Sequence, residues 1–298
     1  MHSNAPSFSK VLAPYQERCE SLIAAHLTGL SVKNKLQEAY IYALTNGGKR
    51  FRPSLVMMIA AALGRGVDVS EAALAVEFFH TASLIADDLP CMDDDAERRN
   101  LPTLHKIYGE AIALLTSYAL IAAGYEALAK NGALWAQFYS QNDSSDSNAR
   151  ILLALANSAH QTGILGATGG QFLDLFPPDI HLDTIREVML KKTVSLFEIS
   201  FVLGWIFGGG DLQKLALVKS AAAHFGIAFQ IADDLGDMVQ DASHQNIMNI
   251  GLLCGKDKAQ QLFEEELAGF QSALKQLNLM TPDLEALSHW LIKQGLPT

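Results

Sequence analysis

Apolar residues recur along this chain at three- and four-residue spacing, and no stretch sustains the two-residue alternation of a half-buried strand. The pattern predicts helices over 12–30, 32–44, 54–63, 70–88, 108–130, 151–173, 184–207, 212–239, 262–277 and 284–296. That makes an all-α, single-domain bundle of about ten or more helices spanning 1–298. Residues 1–10 carry no periodic pattern and read as a loose arm. The breaks have local causes. Asn46-Gly47-Gly48 and Gly208-Gly209-Gly210 supply backbone freedom, Pro177-Pro178 enforces a turn, and Ser70 is placed as the N-cap before Glu71. Pro90 disfavours helical geometry at Leu89, so Asp87 and Asp88 fall at the C-terminal end of their helix. The Ser/Asn/Asp-rich stretch 142–148 predicts a polar loop between helices of one character, not a linker between domains.

The run 151–173 holds no formally charged residue and is long enough to span a bilayer. Asn157, Ser158, His160, Gln161, Gly169, Gly170 and Gln171 interrupt it, so it reads as a buried core helix and no membrane span is expected. Nearly half of the 298 residues are apolar, enough for a sizeable core. The net charge of -10 argues against nucleic acid or an anionic membrane surface as a partner. Cys19, Cys91 and Cys254 form no Cys-x-x-Cys pair, which fits a reducing compartment; with no signal-peptide pattern at the start, the expected location is the cytoplasm.

The chemistry concentrates in a few segments. Five carboxylates lie within the nine residues 87–95, immediately before Arg98 and Arg99. Such a density of like charge, set at the unfavourable end of a helix dipole, calls for a cation, and hard divalent ions prefer carboxylate oxygens. Mg²⁺ usually binds through one or two carboxylates plus phosphate oxygens, and neighbouring arginines suit phosphate, so the unit reads as a holder for a diphosphate. A second copy follows in Asp233, Asp234 and Asp237, where positions 233 and 237 share one helix face. Gly47-Gly48-Lys49-Arg50-Phe51-Arg52-Pro53 reads either as an anion site built from Lys49, Arg52 and backbone N–H groups or as a solvated basic turn. His80 reads either as a satisfied core histidine or as part of the convergent site, and Lys191-Lys192 either as a surface pair or as a phosphate contact.

These motifs, with Gly169-Gly170-Gln171-Phe172-Leu173-Asp174, Lys192-Thr193 and Phe229-Gln230-Ile231-Ala232-Asp233-Asp234-Leu235-Gly236-Asp237, resemble the trans-prenyl diphosphate synthases from Gly47 to Asp237. The gap between Asp88 and Asp93 resembles that of bacterial-type farnesyl and geranylgeranyl diphosphate synthases. The resemblance implies helices around a central cavity, a Mg²⁺ cofactor with Mn²⁺ as substitute, isopentenyl and allylic diphosphates as substrates, and a homodimer. It further implies that Asp87, Asp88 and Asp93 bind metal on one side and Asp233, Asp234 and Asp237 on the other, with Asp174 assisting. Arg98 would contact the allylic diphosphate, Lys49, Arg52, His80 and Arg99 would hold isopentenyl diphosphate, and Lys192, Thr193 and Gln230 would line the reacting centre.

The chain departs from that pattern at Ala86, at Asn100-Leu101 and at Tyr118, where the family often has His or Leu, Gly-Lys and Asp. The lysines expected after Asp237 have no counterparts; Asn246-Ile247-Met248-Asn249-Ile250 stands there instead. A catalytically silent subunit and a terpene cyclase are the alternatives. The retained aspartates and arginines argue against the first, and the Lys49, Arg52 and Arg99 set against the second. A calcium loop is excluded, because 87–95 lacks the alternating ligands and central Gly. For chain length, Ala82 and Ser83 lie about one turn before Asp87 and should point into the cavity; both are small, with Phe79 a further turn away. The added depth, about 5 Å for one turn, favours geranylgeranyl over farnesyl diphosphate as product.

Overall fold

Residues 195–207 form a run with almost no polar face to offer, and a helix hydrophobic all round belongs in the interior. In the computed structural model, which describes residues 7–139, 144–244 and 248–295, this run is the central helix, buried at every position except Glu198. The chain proceeds through α1 (Phe8–Thr28), α2 (Lys35–Thr45), α3 (Phe51–Leu63), α4 (Ser70–Asp87), α5 (Leu104–Tyr108), α6 (Glu110–Tyr139) and α7 (Ser144–Thr162). It continues through α8 (Ala167–Leu175), α9 (Leu182–Val188), α10 (Ser195–Phe207), α11 (Leu215–His244), α12 (Ile250–Cys254), α13 (Lys256–Leu277) and α14 (Pro282–Gln294). A π-helical segment, Met189–Val194, joins α9 to α10, and a 3₁₀ turn, Leu212–Lys214, precedes α11. The protein is all-α. Among the described residues the only sheet is a two-residue antiparallel ladder, Glu97–Arg98 with Leu101–Pro102.

Packing around α10 explains how polar residues survive there. Ser200 returns its hydroxyl to Leu196 O at 3.0 Å within the helix. Gly204 lets α3 approach, since a Cβ there would stand 2.7 Å from Val56 O. The free carbonyls at the end of α10 are met from α7: Arg150 donates to Ile206 O at 3.1 Å and Gly210 O at 2.8 Å, its guanidinium 4.8 Å from the Trp135 ring.

Helix α4, which carries the first acidic motif, is clamped along α6. Asn131 Oδ1 accepts from Ala72 N at 2.9 Å near its start, and Ser117 Oγ donates to Ala82 O at 2.9 Å near its end. Between these ties the Phe79 ring lies directly on Gly124.

Several predicted boundaries are corrected. Ser70 is the first helical residue, not the cap; Asp68 Oδ1 accepts from both Ser70 N and Ser70 Oγ, because an ionised carboxylate is the stronger acceptor. The segment 151–173 is two helices, broken at Gly163 and Gly166, and Ile164 and Leu165 between them are exposed, not core. Gly109 separates α5 from α6, at φ 84°. The predicted helix 184–207 is interrupted by the π segment. Of the predicted loop 142–148, residues 144–148 form the first turn of α7 and the rest lies outside the described residues. The proposed arm gives way to α1 at Phe8, with 1–6 outside the described residues. By length and composition α6 and Leu212–Val239 could cross a bilayer. Both pack within the bundle, α6 on α4 and α11 on α10 and α13.

The Phe79–Gly124 contact yields a test. A Cβ at Gly124 would stand 2.4 Å from Phe79 Cε1, so Gly124→Val should lower stability by about 1–3 kcal/mol through overpacking, read as a reduced urea midpoint at unchanged slope.

Candidate active site

The acidic turn sorts its five carboxylates by how the chain folds back over the end of α4. Asp93 N donates to Asp87 O at 2.9 Å, Met92 N to Leu89 O at 2.8 Å and Asp94 N to Leu89 O at 3.1 Å, satisfying helix-end carbonyls. Asp88 turns inward and is buried; Arg98 Nε binds its Oδ1 at 2.5 Å while Arg98 Nη2 binds Asp95 at 3.0 Å. Asp94 pairs with Lys106 at 3.3 Å. Three of the five acids thus have cationic partners on the turn, leaving Asp87 and Asp93. Burial pushes the Asp87 carboxyl up to about 6, with Lys192 opposing the shift and Asp93 adding to it. Asp93 is raised as well, again mainly by desolvation.

Opposite this turn stands the π segment. Gly170 of α8 touches its backbone, for a Cβ there would lie 2.3 Å from Lys192 N. The two lysines diverge: Lys191 pairs with Glu187 at 2.6 Å, and Lys192 with Asp174 at 2.5 Å. Thr193 Oγ1 donates to Gln230 Oε1 at 2.8 Å. A cavity of about 500 Å³ is lined by Asp93, Asp174, Lys192, Thr193, Gln230 and Asp234 among others. Asp233 reaches solvent at the rim of the site. The protein crowding it, with Asp237 one turn on, pushes its carboxyl up to about 6, while Lys49 and Arg52 draw it down.

The basic turn builds a second cavity, about 1030 Å³, lined by Lys49, Arg52, His80 and Arg99. Its middle cation, Arg50, points the other way. Held at φ 43° and 3% exposed, it binds Glu77 at 2.5 Å, Glu20 at 2.7 Å and Leu44 O at 2.6 Å. Arg52 lies with its guanidinium carbon 4.4 Å from the Phe197 ring centroid and its Nη1 3.3 Å from His80 Nε2. Burial lowers the Arg52 pKa to about 10 and, with the surrounding arginines, keeps His80 neutral. Because Arg52 can only donate, His80 Nε2 must accept and Nδ1 carries the proton. Arg52 Nε and His80 Nδ1 are then buried donors without a partner among the described residues, a cost that a bound anion offsets. Arg99 lies against Gly48 and donates to Gly47 O.

The motif residues therefore meet, with corrections. Asp88 and Asp234 are buried acids whose oxygens the protein engages: Asp88 pairs with Arg98, and Asp234, at the edge of the cavity of about 500 Å³, accepts from Gln230 Nε2 at 2.8 Å and Ile250 N at 2.9 Å. Arg98 is held by Asp88 and Asp95. Ser83 shares the face of Asp87 and His80, but Ala82 turns with Phe79 toward α6, and neither Ala82 nor Ser83 lines the two cavities. The sequence reading missed His289, Trp290 and Lys293 of α14, which line the basic cavity. No local signal marks them, since they sit in an ordinary amphipathic helix.

Among the described residues no three Asp, Glu, His or Cys side chains converge into a ready-made metal cage. Asp87 and Asp93 on one side, and Asp233 and Asp237 on the other, instead offer carboxylate oxygens in pairs. Desolvation raises the carboxyls of Asp87, Asp93 and Asp233 by more than the neighbouring Lys192, Lys49 and Arg52 lower them. Both properties fit a hard divalent ion that completes its shell with phosphate oxygens.

Known proteins resemble this chain over most of its length. The family profile described as Polyprenyl synthetase matches residues 33–249. Geranylgeranyl pyrophosphate synthase 7, chloroplastic, of Arabidopsis thaliana is 35% identical over 246 residues, covering 80% of this chain and 66% of that protein. Across the first curated plant relatives the chain spans 57% to 79% of their length. Among solved structures, a geranyltransferase from Legionella pneumophila superposes with a TM-score of 0.80 at 25% identity, covering 96% of this chain and 97% of that one. An FPP/GFPP synthase from Zymomonas mobilis gives 0.79 at 28%, covering 97% and 100%.

Arg50 and Glu77 lend themselves to measurement. Glu77→Ala leaves a buried guanidinium short of its inner partner and should cost about 3–5 kcal/mol in urea denaturation, whereas the paired change Arg50→Met with Glu77→Leu should recover most of that loss.

Proposed function

The chain belongs to the polyprenyl synthetase family, and from that premise we propose that it is a Mg²⁺-dependent short-chain trans-prenyl diphosphate synthase that extends an allylic diphosphate with isopentenyl diphosphate. The observation that carries the reading is a wall of unpartnered donors, Arg52 Nε and His80 Nδ1, with the raised carboxyl of Asp233 in electrostatic reach of Arg52 and that of Asp87 in reach of Lys192. One wall suits a bare diphosphate, the other a diphosphate that arrives with metal.

Lys49, Arg52, His80 and Arg99 hold isopentenyl diphosphate, its anion meeting the two buried donors. Asp87, Asp93, Asp233 and Asp237 would hold Mg²⁺, with Mn²⁺ as substitute, and Asp174 stands beside them as the partner of Lys192. When bound, the metal neutralises the allylic diphosphate and favours its departure. Lys192 adds a cation to the same leaving group, and Arg98 offers the Nη1 that takes no part in its two ion pairs. The C1–O bond breaks with its electron pair going to diphosphate, leaving an allylic cation. Oxygen atoms of Thr193 and Gln230 face that charge. The isopentenyl double bond attacks C1, and the new cation loses its proton to the departed diphosphate.

For product length we favour geranylgeranyl diphosphate, on the names of the plant relatives; Ser83, outside both cavities but on the helix face of Asp87, is the small residue through which chain length is tested. Farnesyl diphosphate is the second reading, favoured by the geranyltransferase name of the solved relative. A homodimer is the proposed assembly, supported by Leu115, Tyr118 and Leu152, apolar or aromatic side chains left exposed on α6 and α7. The cytoplasm is the proposed setting, in keeping with three unpaired cysteines.

Purified protein given isopentenyl diphosphate, each allylic diphosphate and Mg²⁺ should form a longer prenyl diphosphate, and none with chelator. Asp87→Ala and Asp233→Ala should each lower turnover by about two orders of magnitude or more, the loss expected for a metal ligand at the leaving group. Near-normal turnover of both variants would remove this mechanism.

Chain length is tested on the same assay. Ser83→Phe should shorten the product by one isoprene unit. Ala82→Tyr should instead drive a ring into the α4–α6 seam and reduce stability by about 1–3 kcal/mol. An unchanged product from Ser83→Phe means that the cavity floor lies elsewhere.

A further inference from the structure

Three acids make the second motif, and one of them is built in. Asp234 is 7% exposed, and both of its oxygens are taken: Oδ1 accepts from Gln230 Nε2 at 2.8 Å and Oδ2 from Ile250 N at 2.9 Å. Its backbone carbonyl accepts from Asn249 Nδ2 at 2.7 Å, and Asn249 Oδ1 accepts from Leu252 N at 3.1 Å, capping α12. The geometry points to Asp234 as a positioning residue and not a metal ligand: it sets the direction of a hydrogen-bond chain running through Gln230 to Thr193. The inference rests on the prenyl-transfer reading above for what that chain faces.

The argument is one of donors and acceptors. A side-chain amide can turn over and exchange its oxygen and nitrogen, so nothing in Gln230 itself decides which way it points. Asp234, however, accepts on both oxygens, from Gln230 Nε2 and from Ile250 N. Asp234 therefore draws the Gln230 NH₂ toward itself and leaves Oε1 toward Thr193, 2.8 Å away. Thr193 must then donate its only hydroxyl proton to Gln230, and its remaining lone pairs are free of that bond. Thr193, Gln230 and Asp234 all line the cavity, and in this arrangement the Gln230 N–H groups are turned to Asp234 while Gln230 Oε1 and the spare lone pairs of Thr193 lie together. A wall of this polarity favours developing positive charge, whereas the reversed amide would present donors and oppose it.

Met248-Asn249-Ile250 stands where the family resemblance leads one to expect lysine-bearing sequence. In this chain the segment fastens Asp234 through Ile250 N–H and Asn249 Nδ2, and its Met248 lines the same cavity, so a stretch without the expected cations still reaches the reacting centre.

Exchanging a single atom pair tests the direction of the chain. Asp234→Asn is nearly isosteric but cannot satisfy both neighbours. If Oδ1 faces Gln230, an NH₂ confronts Ile250 N–H; if it faces Ile250, Gln230 must turn over. Turnover should fall about ten- to a hundredfold, the range for a lost hydrogen bond to a charged group, while the KM of each substrate stays within about threefold. Calorimetry of Mg²⁺ with inorganic diphosphate should give wild-type affinity for Asp234→Asn and strongly weakened affinity for Asp233→Asn. The double variant Asp234→Asn with Gln230→Glu restores the three described bonds among Thr193, position 230, position 234 and Ile250, because Glu accepts from both Thr193 and the new amide, and should recover turnover to within about threefold of wild type.

Loss of Mg²⁺–diphosphate binding in Asp234→Asn as large as in Asp233→Asn overturns the proposal, as does unchanged turnover. If the single variant does not fold, the double variant decides alone: recovered turnover upholds the polarity argument, and failure to fold or to turn over overturns it. Wild-type protein inactive with isopentenyl and allylic diphosphates would remove the prenyl-transfer reading, yet the calorimetric comparison of positions 233 and 234 would still show which acid is a ligand.

Discussion

A guanidinium that cannot leave the interior holds the basic wall in place. Arg50 occupies left-handed backbone between the glycine turn and α3, and Glu77, buried on α4, meets it at 2.5 Å. Neither charge can be stripped of the other without leaving an uncompensated ion out of water. The pair therefore fastens the turn to α4 less than one helical turn before His80. Lys49 and Arg52, on either side of Arg50, are left to face the cavity because their neighbour is committed elsewhere. The conformation at φ 43° is unusual for a side chain of this size, and the three hydrogen bonds of Arg50 are what sustain it.

The acids are sorted by the same logic in reverse. Asp88, Asp94, Asp95 and Asp174 each have a cation within 3.3 Å. Asp234 has donors on both oxygens. What remains, at Asp87, Asp93 and Asp233, are carboxyls that no ion pair among the described residues ties down; crowding by the protein raises them, while Lys192 beside the first two and Lys49 and Arg52 beside the third pull the other way.

Motif positions were legible in the sequence because their chemistry is local. Two acidic runs, a basic glycine turn and a lysine among apolar neighbours stand out without any knowledge of the fold, and the structure brings them together. Side-chain direction was far less legible. Asp233 and Asp234 are the same residue type one step apart, and only the donors waiting at Gln230 and Ile250 separate an acid whose oxygens are taken from one that reaches solvent. Ala82 and Ser83 differ in the same way, by a rotation of about 100° around α4. The break inside 151–173 was hidden because Ile164 and Leu165 preserve an apolar pattern while Gly163 and Gly166 make the turn. Val69 and not Ser70 stands at the cap of α4, with Asp68 accepting from Ser70 N and Oγ, an arrangement that spacing does not show. His289, Trp290 and Lys293 join the basic cavity only because α14 packs on α1, α3 and α11, a tertiary fact with no trace in their own segment.

The π segment carries a broader lesson about how a site can be assembled. Its hydrogen bonds reach one residue further than those of an α-helix, so each turn holds more residues and adjacent side chains are separated by a smaller rotation. Lys192 and Thr193, consecutive in the chain, can therefore line one wall, with Lys192 meeting α8 and Thr193 meeting α11. A regular helix would spread the two further around its axis. Such a wider turn is equivalent to one residue inserted into an otherwise ordinary helix, and its removal would shift the register of everything before it relative to α10. A point insertion, retained, could in this way have brought two functional groups together where substitution alone would have required two separate helices.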